Sequence, residues 1–209
     1  KLDSNFNRIW IKNLSCTSTF ENLVLMEAND RAIQLGGNFQ KQIQFDSRTW
    51  NAQGGSDNFI WNLKENGEFA WLKTFGGTGL EEMIGLNKLP DGSFLSVSNT
   101  KNASDPMYCT IIKFSKNGDV LAGKSLITGF HNKAIGLKIE NESIYISGEF
   151  KTKLVIEDKT VLSNTSGSGF ISLLNPDLVP SWLVSFSSSG KTSAEGIQTD
   201  PFGFPLAVL

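Results

Sequence analysis

Apolar residues in this chain fall into short runs of about six, bounded by glycine, proline, asparagine and aspartate, a length and punctuation that predict strands rather than helices. The runs "TIIKF" (110–114), "SIYISG" (143–148) and "GFISLL" (169–174) are apolar at nearly every position, and such strands must be covered on both faces. No amphipathic stretch long enough for a helix of useful length interrupts them. Asn66-Gly67, Asp91-Gly92 and Asn117-Gly118 sit between consecutive runs. These pairs are strong hairpin signals, expected here as type I′ turns with positive φ at both central residues. The runs "EEMIGLNKL", "SFLSVSNT", "YCTIIKFS" and "DVLAGKSL" therefore read as a four-stranded antiparallel meander.

The pattern repeats. A shift of 111 residues superimposes Ile33 on Ile144, Gly37 on Gly148, Phe39 on Phe150, Phe59 on Phe170, Trp71 on Trp182 and Gly85 on Gly196, without a gap. Within that unit a tryptophan frame recurs at Trp10, Trp71 and Trp182, with Ala122 holding the corresponding place between the last two. The elementary repeat is thus about 50–60 residues, in a long and a short version that differ by the segments "KQIQFDSRTWNAQGGSD" and "TKLVIEDKTVLSNTSGSG".

Repeated sheets with two apolar faces are covered when they stack radially, which is the β-propeller solution. The expected architecture is all-β: a partial β-propeller of about four blades, each a four-stranded antiparallel sheet. In that arrangement Trp10, Trp71 and Trp182 are packing anchors on the fourth, outer strand. Gly85, Gly136 and Gly196 lie on the first, inner strand, where crowding favours a missing side chain. Phe59 and Phe170 are the corresponding anchors of the third strand. Residues 1–209 align as one propeller segment cut within a repeat at both ends, so the chain is expected to continue into further blades of a longer polypeptide. A segment of this kind exposes strand edges and apolar faces, and is expected to be insoluble or oligomeric alone.

The frame "GNFQKQIQFDSRTWNAQGGSDNFIWNLKENGEFAWLKTFGGTGLEE" resembles the bacterial SBBP, or seven-bladed β-propeller-type, repeat family. The matching positions are Gly37, Phe39, Gly54, Asp57, Phe59, Ile60, Leu63, Gly67, Trp71, Gly76 and Gly77. The match is strongest in this unit, good in the unit ending "SWLVSF", and diluted elsewhere, where Ala122 replaces tryptophan and the Gly-Gly pair is lost. The resemblance implies a secreted or cell-surface location in bacteria, often within large multidomain proteins, and no defined catalytic activity.

Composition narrows the chemistry. The net charge is −2, with no basic stripe, which argues against a nucleic-acid partner. No run is long and apolar enough to be a membrane-spanning helix. Cys16 and Cys109 lack the spacing of a metal knuckle; a disulfide between them is open, with two separate buried thiols the simpler reading. The single histidine, His131, sits in the loop "TGFHNKA" with no triad motif around it. Of the carboxylates Glu81-Glu82, Asp91, Glu140-Glu142 and Glu157-Asp158, Glu81-Glu82 open an inner strand and Glu140-Glu142 lie in a turn; the group reads as solvated, and Asp57 as the cap of a turn. "GGTGLEE" lacks the lysine and helix of a phosphate loop. No catalytic, cofactor or metal residues are therefore expected. The chain reads as a surface binding or scaffold module for protein or glycan partners, with Trp50 and Tyr108 as candidate sugar-stacking rings. The alternatives are a propeller enzyme, quinoprotein-like or carbohydrate-active, whose catalytic groups lie outside this segment, and a purely structural spacer in a larger outer-membrane assembly.

Overall fold

A computed structural model describes residues 1–102, 107–128, 131–163 and 167–208. The chain divides into two compact units, Lys1–Glu82 and Met83–Leu209.

In the first unit a short strand β1 (Ser15–Cys16) precedes β2 (Phe20–Glu27), β3 (Ile33–Phe39), β4 (Gln42–Phe45), β5 (Arg48–Asn51), β6 (Asp57–Leu63) and β7 (Phe69–Phe75). Strands β2, β3, β6 and β7 form one four-stranded sheet in sequence order. The only helical element among the described residues is a single 3-10 turn, Asn29–Arg31. Strand β8 (Leu80–Lys88) leads into the second unit and forms a sheet with β9 (Phe94–Lys101), β10 (Tyr108–Phe114) and β11 (Val120–Thr128). A third sheet joins β12 (Lys133–Glu140), β13 (Ser143–Phe150), β16 (Ser168–Leu174) and β17 (Pro180–Phe186). Strands β14 (Lys153–Ile156) and β15 (Lys159–Leu162) pair separately, as do β18 (Gly196–Thr199) and β19 (Pro205–Val208). The fold is all-β, with three complete four-stranded antiparallel sheets among the described residues.

The sheets repeat in register as well as in order. Asn62 faces Trp71, Lys113 faces Ala122, and Leu173 faces Trp182, and in each sheet a bulge follows immediately. The β3–β6 pairing sets Gly37 opposite Phe59, and β13–β16 sets Gly148 opposite Phe170. Both phenylalanines are fully buried, each burial contributing about 1.5–3 kcal/mol. The glycines make room for them: a Cβ on Gly37 would lie 3.2 Å from the Phe59 ring, and one on Gly148 would lie 2.6 Å from the Phe170 ring. Phe39 and Phe150 then meet these rings edge-on, at 6.2 and 6.5 Å between centroids. The spacing G-x-F followed by a distant phenylalanine is thus one packing unit built twice.

One expectation is corrected. The turns are not type I′. Gly67 donates to the Lys64 carbonyl at 2.9 Å, Gly92 to Leu89 at 3.0 Å and Gly118 to Ser115 at 2.9 Å. Positive φ is confined to the glycine, at 83, 82 and 82°, while Asn66, Asp91 and Asn117 stay on the ordinary side. This fits a type I turn followed by a left-handed bulge residue. Asn66 and Asp91 cap it through their side chains, accepting from the Glu68 and Ser93 amides. In the third sheet Leu178 takes the glycine position at φ 63° and is fully buried. The segments that distinguish long from short repeats, which the sequence leaves unassigned, are hairpins in their own right, β4–β5 and β14–β15, and each lays its apolar face (Ile43 and Phe45; Leu154 and Ile156) on the adjoining core.

Candidate functional site

The chemically richest place in the first unit is a corner where β6 begins and β8 begins. Asp57 opens β6 and is 1% exposed; Glu81, the second residue of β8, is 6% exposed. An ionised carboxylate at such depth needs partners. Asp57 has them, accepting from the backbone amides of Gln53 at 3.0 Å and Gly54 at 3.4 Å, so the expected turn cap is what the side chain does. Glu81 has fewer. Its Oε1 accepts from the Gly77 amide at 3.2 Å, while Oε2 has no hydrogen-bond partner among the described residues. Burial, and then the Asp57 carboxylate nearby, push the Glu81 carboxyl above the ordinary range. Glu81 does open an inner strand, β8, as the sequence indicates, but it is buried rather than solvated, because that strand begins inside the corner and carries the residue in with it.

Glycines frame the pair. A Cβ on Gly76 would lie 2.8 Å from Asp57 Oδ1 and 2.9 Å from Glu81 Oε2, and one on Gly54 would lie 2.4 Å from the Gly77 carbonyl oxygen. The Gly55 amide donates to the Gly79 carbonyl at 2.8 Å, and the Ser56 hydroxyl donates to the Glu81 carbonyl at 2.9 Å. Asn38, also buried, donates its amide to that same carbonyl. Gly54, Asp57, Gly76 and Gly77, scattered through the repeat motif, thus meet in one place. With both acids almost wholly enclosed by glycine backbone, the corner works as a clasp between the start of β6 and the start of β8.

The equivalent corner lies 111 residues on. There the Thr192 amide donates to the Gly167 carbonyl at 3.2 Å, just as the Glu81 amide donates to the Ser56 carbonyl at 3.2 Å. The side chains differ completely. Ser168 replaces Asp57 and bonds Ser163 at 2.7 Å; Thr192 replaces Glu81 and meets the Ser188 hydroxyl at 2.9 Å. Residues 164–166, part of this turn in the sequence, lie outside the described residues.

Two of the three tryptophan anchors occupy like positions. Trp71 and Trp182 lie on β7 and β17, the fourth strands of their sheets. Trp182 packs with Tyr145, Ile171 and Ile197. Trp10 departs from the expected fourth-strand position: it precedes β1, outside the named strands, and lies over the Asn66-Gly67 turn, where a Cβ on Gly67 would be 2.8 Å from its ring, and its indole N–H donates to the Glu65 carbonyl at 3.0 Å. The inner-strand glycines mark close approaches between sheets of the second unit. A Cβ on Gly85 would lie 2.9 Å from Leu137 Cβ, and one on Gly136 would lie 3.1 Å from Ile197 Cγ2. Gly196 has nothing within 4 Å.

Other residues singled out in the sequence fall into structural or solvent roles. Trp50 is half-buried and packs on the core of the first unit, 6.3 Å from Phe69. Tyr108 is half-buried at the start of β10. Cys16 and Cys109 form no disulfide; Cys109 is fully buried, which pushes its thiol up to about 12. Asp91 bonds Ser93 and pairs with Lys113 at 3.3 Å, Glu157 pairs with Lys124 at 2.6 Å, and Glu140 accepts from Thr199 at 3.1 Å. His131 is exposed, on the wall of a cavity of about 200 Å³ that Glu149, Phe150, Lys151, Gly167 and Lys191 complete; its loop neighbours Gly129 and Phe130 lie outside the described residues. Glu149 is bracketed there by Lys191 at 2.7 Å and Lys133 at 3.6 Å, and the Glu149 carboxylate in turn raises the Lys191 ammonium. Among the described residues no cluster of three or more histidine, cysteine, aspartate or glutamate side chains is placed to hold a metal ion. Among the described residues no helix is long and apolar enough to cross a membrane.

No family model matches the chain, and no curated protein matches it either.

Proposed function

We propose that the chain is a run of β-propeller blades serving as a binding or scaffold module for protein or glycan partners at the bacterial cell surface or in secreted assemblies. The observation that carries the architecture is the inner-strand contact made twice: Gly85 against Leu137, then Gly136 against Ile197. First strands of successive sheets that approach this closely, each through a missing side chain, fit sheets converging towards an axis. The resemblance of the Gly37–Gly77 frame to the SBBP repeat supports the location and the non-catalytic role. The buried pair Asp57 and Glu81 fits it too, because both acids lie against the backbone of Gly76 at the joint between two strands. Loops joining strands of a rigid sheet are the natural docking surface of such a module.

The test is capture. Immobilised protein is presented with glycan arrays and with solubilised bacterial envelope proteins. Saturable binding of a defined glycan or envelope protein is expected, and it should persist in Glu81→Gln. Turnover of a sugar or a redox substrate, lost in Glu81→Gln, would overturn the reading.

A further inference from the structure

The cavity beside His131 lies within the second unit, and its charges have no counterpart in the first copy of the repeat. Four of its lining residues fall in the gapless stretch: Glu149 aligns with Asn38, Lys151 with Gln40, Gly167 with Ser56 and Lys191 with Leu80. Three charges thus stand where the first copy is neutral, and the first copy builds the same strands without them. The place is also an open one in both copies. Leu80, aligned with Lys191, is 48% exposed even though it begins the complete sheet β8–β11.

The charged groups are held in position. Glu149, near the end of β13, has only 14% of its side chain exposed and pairs with Lys191 at 2.7 Å and Lys133 at 3.6 Å. Gly167 makes room for Lys191, since a Cβ there would lie 3.2 Å from Lys191 Cγ. The Lys151 amide donates to Asn132 Oδ1 at 3.1 Å, and Asn132, 1% exposed, donates in turn to the Lys153 carbonyl at 2.9 Å. Lys133, Lys151 and Lys191 therefore surround a single carboxylate, and Lys151 has no acidic partner among the described residues. The corner carries a surplus of positive charge in a chain whose net charge is −2. A concave site lined by one sign of charge concentrates the opposite sign.

We infer that this cavity binds a small anionic group, a carboxylate or a phosphate, on a ligand no larger there than about one sugar residue. Its volume of about 200 Å³ lies below the roughly 300–1,000 Å³ of sites for drug-sized ligands. Lys151 and Lys191 supply charged N–H donors to the anion, and such charge-assisted bonds are the strong ones. Glu149 holds Lys191 in place and offers an acceptor to a neighbouring hydroxyl group. The inference rests on the reading of the chain as a binding module and names the ligand chemistry of one site on it.

The first copy supplies the variants: Lys151→Gln and Lys191→Leu install the side chains that the repeat already carries at positions 40 and 80. The chain, immobilised through a terminal tag, is titrated with galacturonic acid, with galactose as its neutral counterpart, and with inorganic phosphate. At least one of the two anions should bind saturably and galactose should not, and the double variant, still melting cooperatively, should bind the anion about tenfold or more weakly. Galacturonate that phosphate does not displace assigns a carboxylate to the site; phosphate binding alone assigns a phosphate. Indifference to both anions, or binding that the double variant keeps, would overturn the inference. Capture of an envelope protein or a neutral glycan by a chain that ignores both anions would do so while leaving the binding-module reading in place.

Discussion

The two corners, Asp57 with Glu81 and Ser168 with Thr192, share a backbone hydrogen bond and differ in the side chains that surround it. Both carry the same amide-to-carbonyl bond at 3.2 Å. In the first, two enclosed carboxylates are held by backbone amides, and the packing needs glycine at 54 and 76. In the second, hydroxyls bond one another, and the Gly76-Gly77 pair has become Ser187-Ser188. The geometry of the clasp is thus set by the backbone, and the side chains are two different ways of satisfying it. The hydroxyl version is neutral, whereas the acidic version is sensitive to pH and to packing around the acids.

That contrast can be broken at its most crowded point. Gly54→Ala places a methyl group against the carbonyl oxygens of Gly77 and Gly79, at 2.4 and 2.6 Å, and should cost about 3 kcal/mol in urea unfolding. An unfolding midpoint equal to wild type would show that the corner is loose. Next, Asp57→Ala strands the Gln53 and Gly54 amides and should cost about 2 kcal/mol, whereas Ser168→Ala, losing one hydroxyl contact, should cost about 1 kcal/mol. Equal losses would remove the distinction between the corners.

A smaller effect separates them by charge. A carboxyl whose folded value is raised binds its proton more tightly in the folded chain, so its contribution is complete below the ordinary glutamate range and fades as pH rises through the raised value. Glu81→Gln keeps an acceptor for the Gly77 amide and removes the titration. Its stability relative to wild type should therefore rise between acid and neutral pH, read from paired thermal melts across that range. Thr192→Val, at the uncharged corner, should shift stability by about 1 kcal/mol or less, with no pH dependence.

Much of this fold was legible because the repeat is gapless over the informative stretch. The pairing of Gly37 with Phe59 follows from its echo in Gly148 and Phe170, and the tryptophan positions on the fourth strands follow in the same way. The β4–β5 hairpin was hidden because its turn, Asp46-Ser47, carries no glycine; Asp46 itself takes the left-handed conformation at φ 52°, as Glu157 does in the second copy. The turn class was misjudged because Asn-Gly fixes where positive φ is cheap, whereas the bond from Gly67 to Lys64 decides which residues need it. Glu81 reads as solvated in the sequence because a charged pair beside an apolar run looks exposed; in the fold Asn38 and Ser56, distant in sequence, bond its backbone carbonyl and so hold the start of β8 in the corner beside Asp57. A signal was present in the glycines at 54, 76, 77 and 79, more than any one turn requires.

The account stands on sheets seated against one another through inner-strand glycines, and a matched set of three substitutions tests it most directly. Gly85→Val drives a side chain into Leu137 alone, and Gly136→Val into the Ser147 hydroxyl of its own sheet as well as Ile197; each should lower unfolding stability by about 1–3 kcal/mol, with Gly85→Val the arm that reads the contact between sheets, while Gly196→Val, over open space, should leave stability unchanged. Equal stability for all three variants would contradict it.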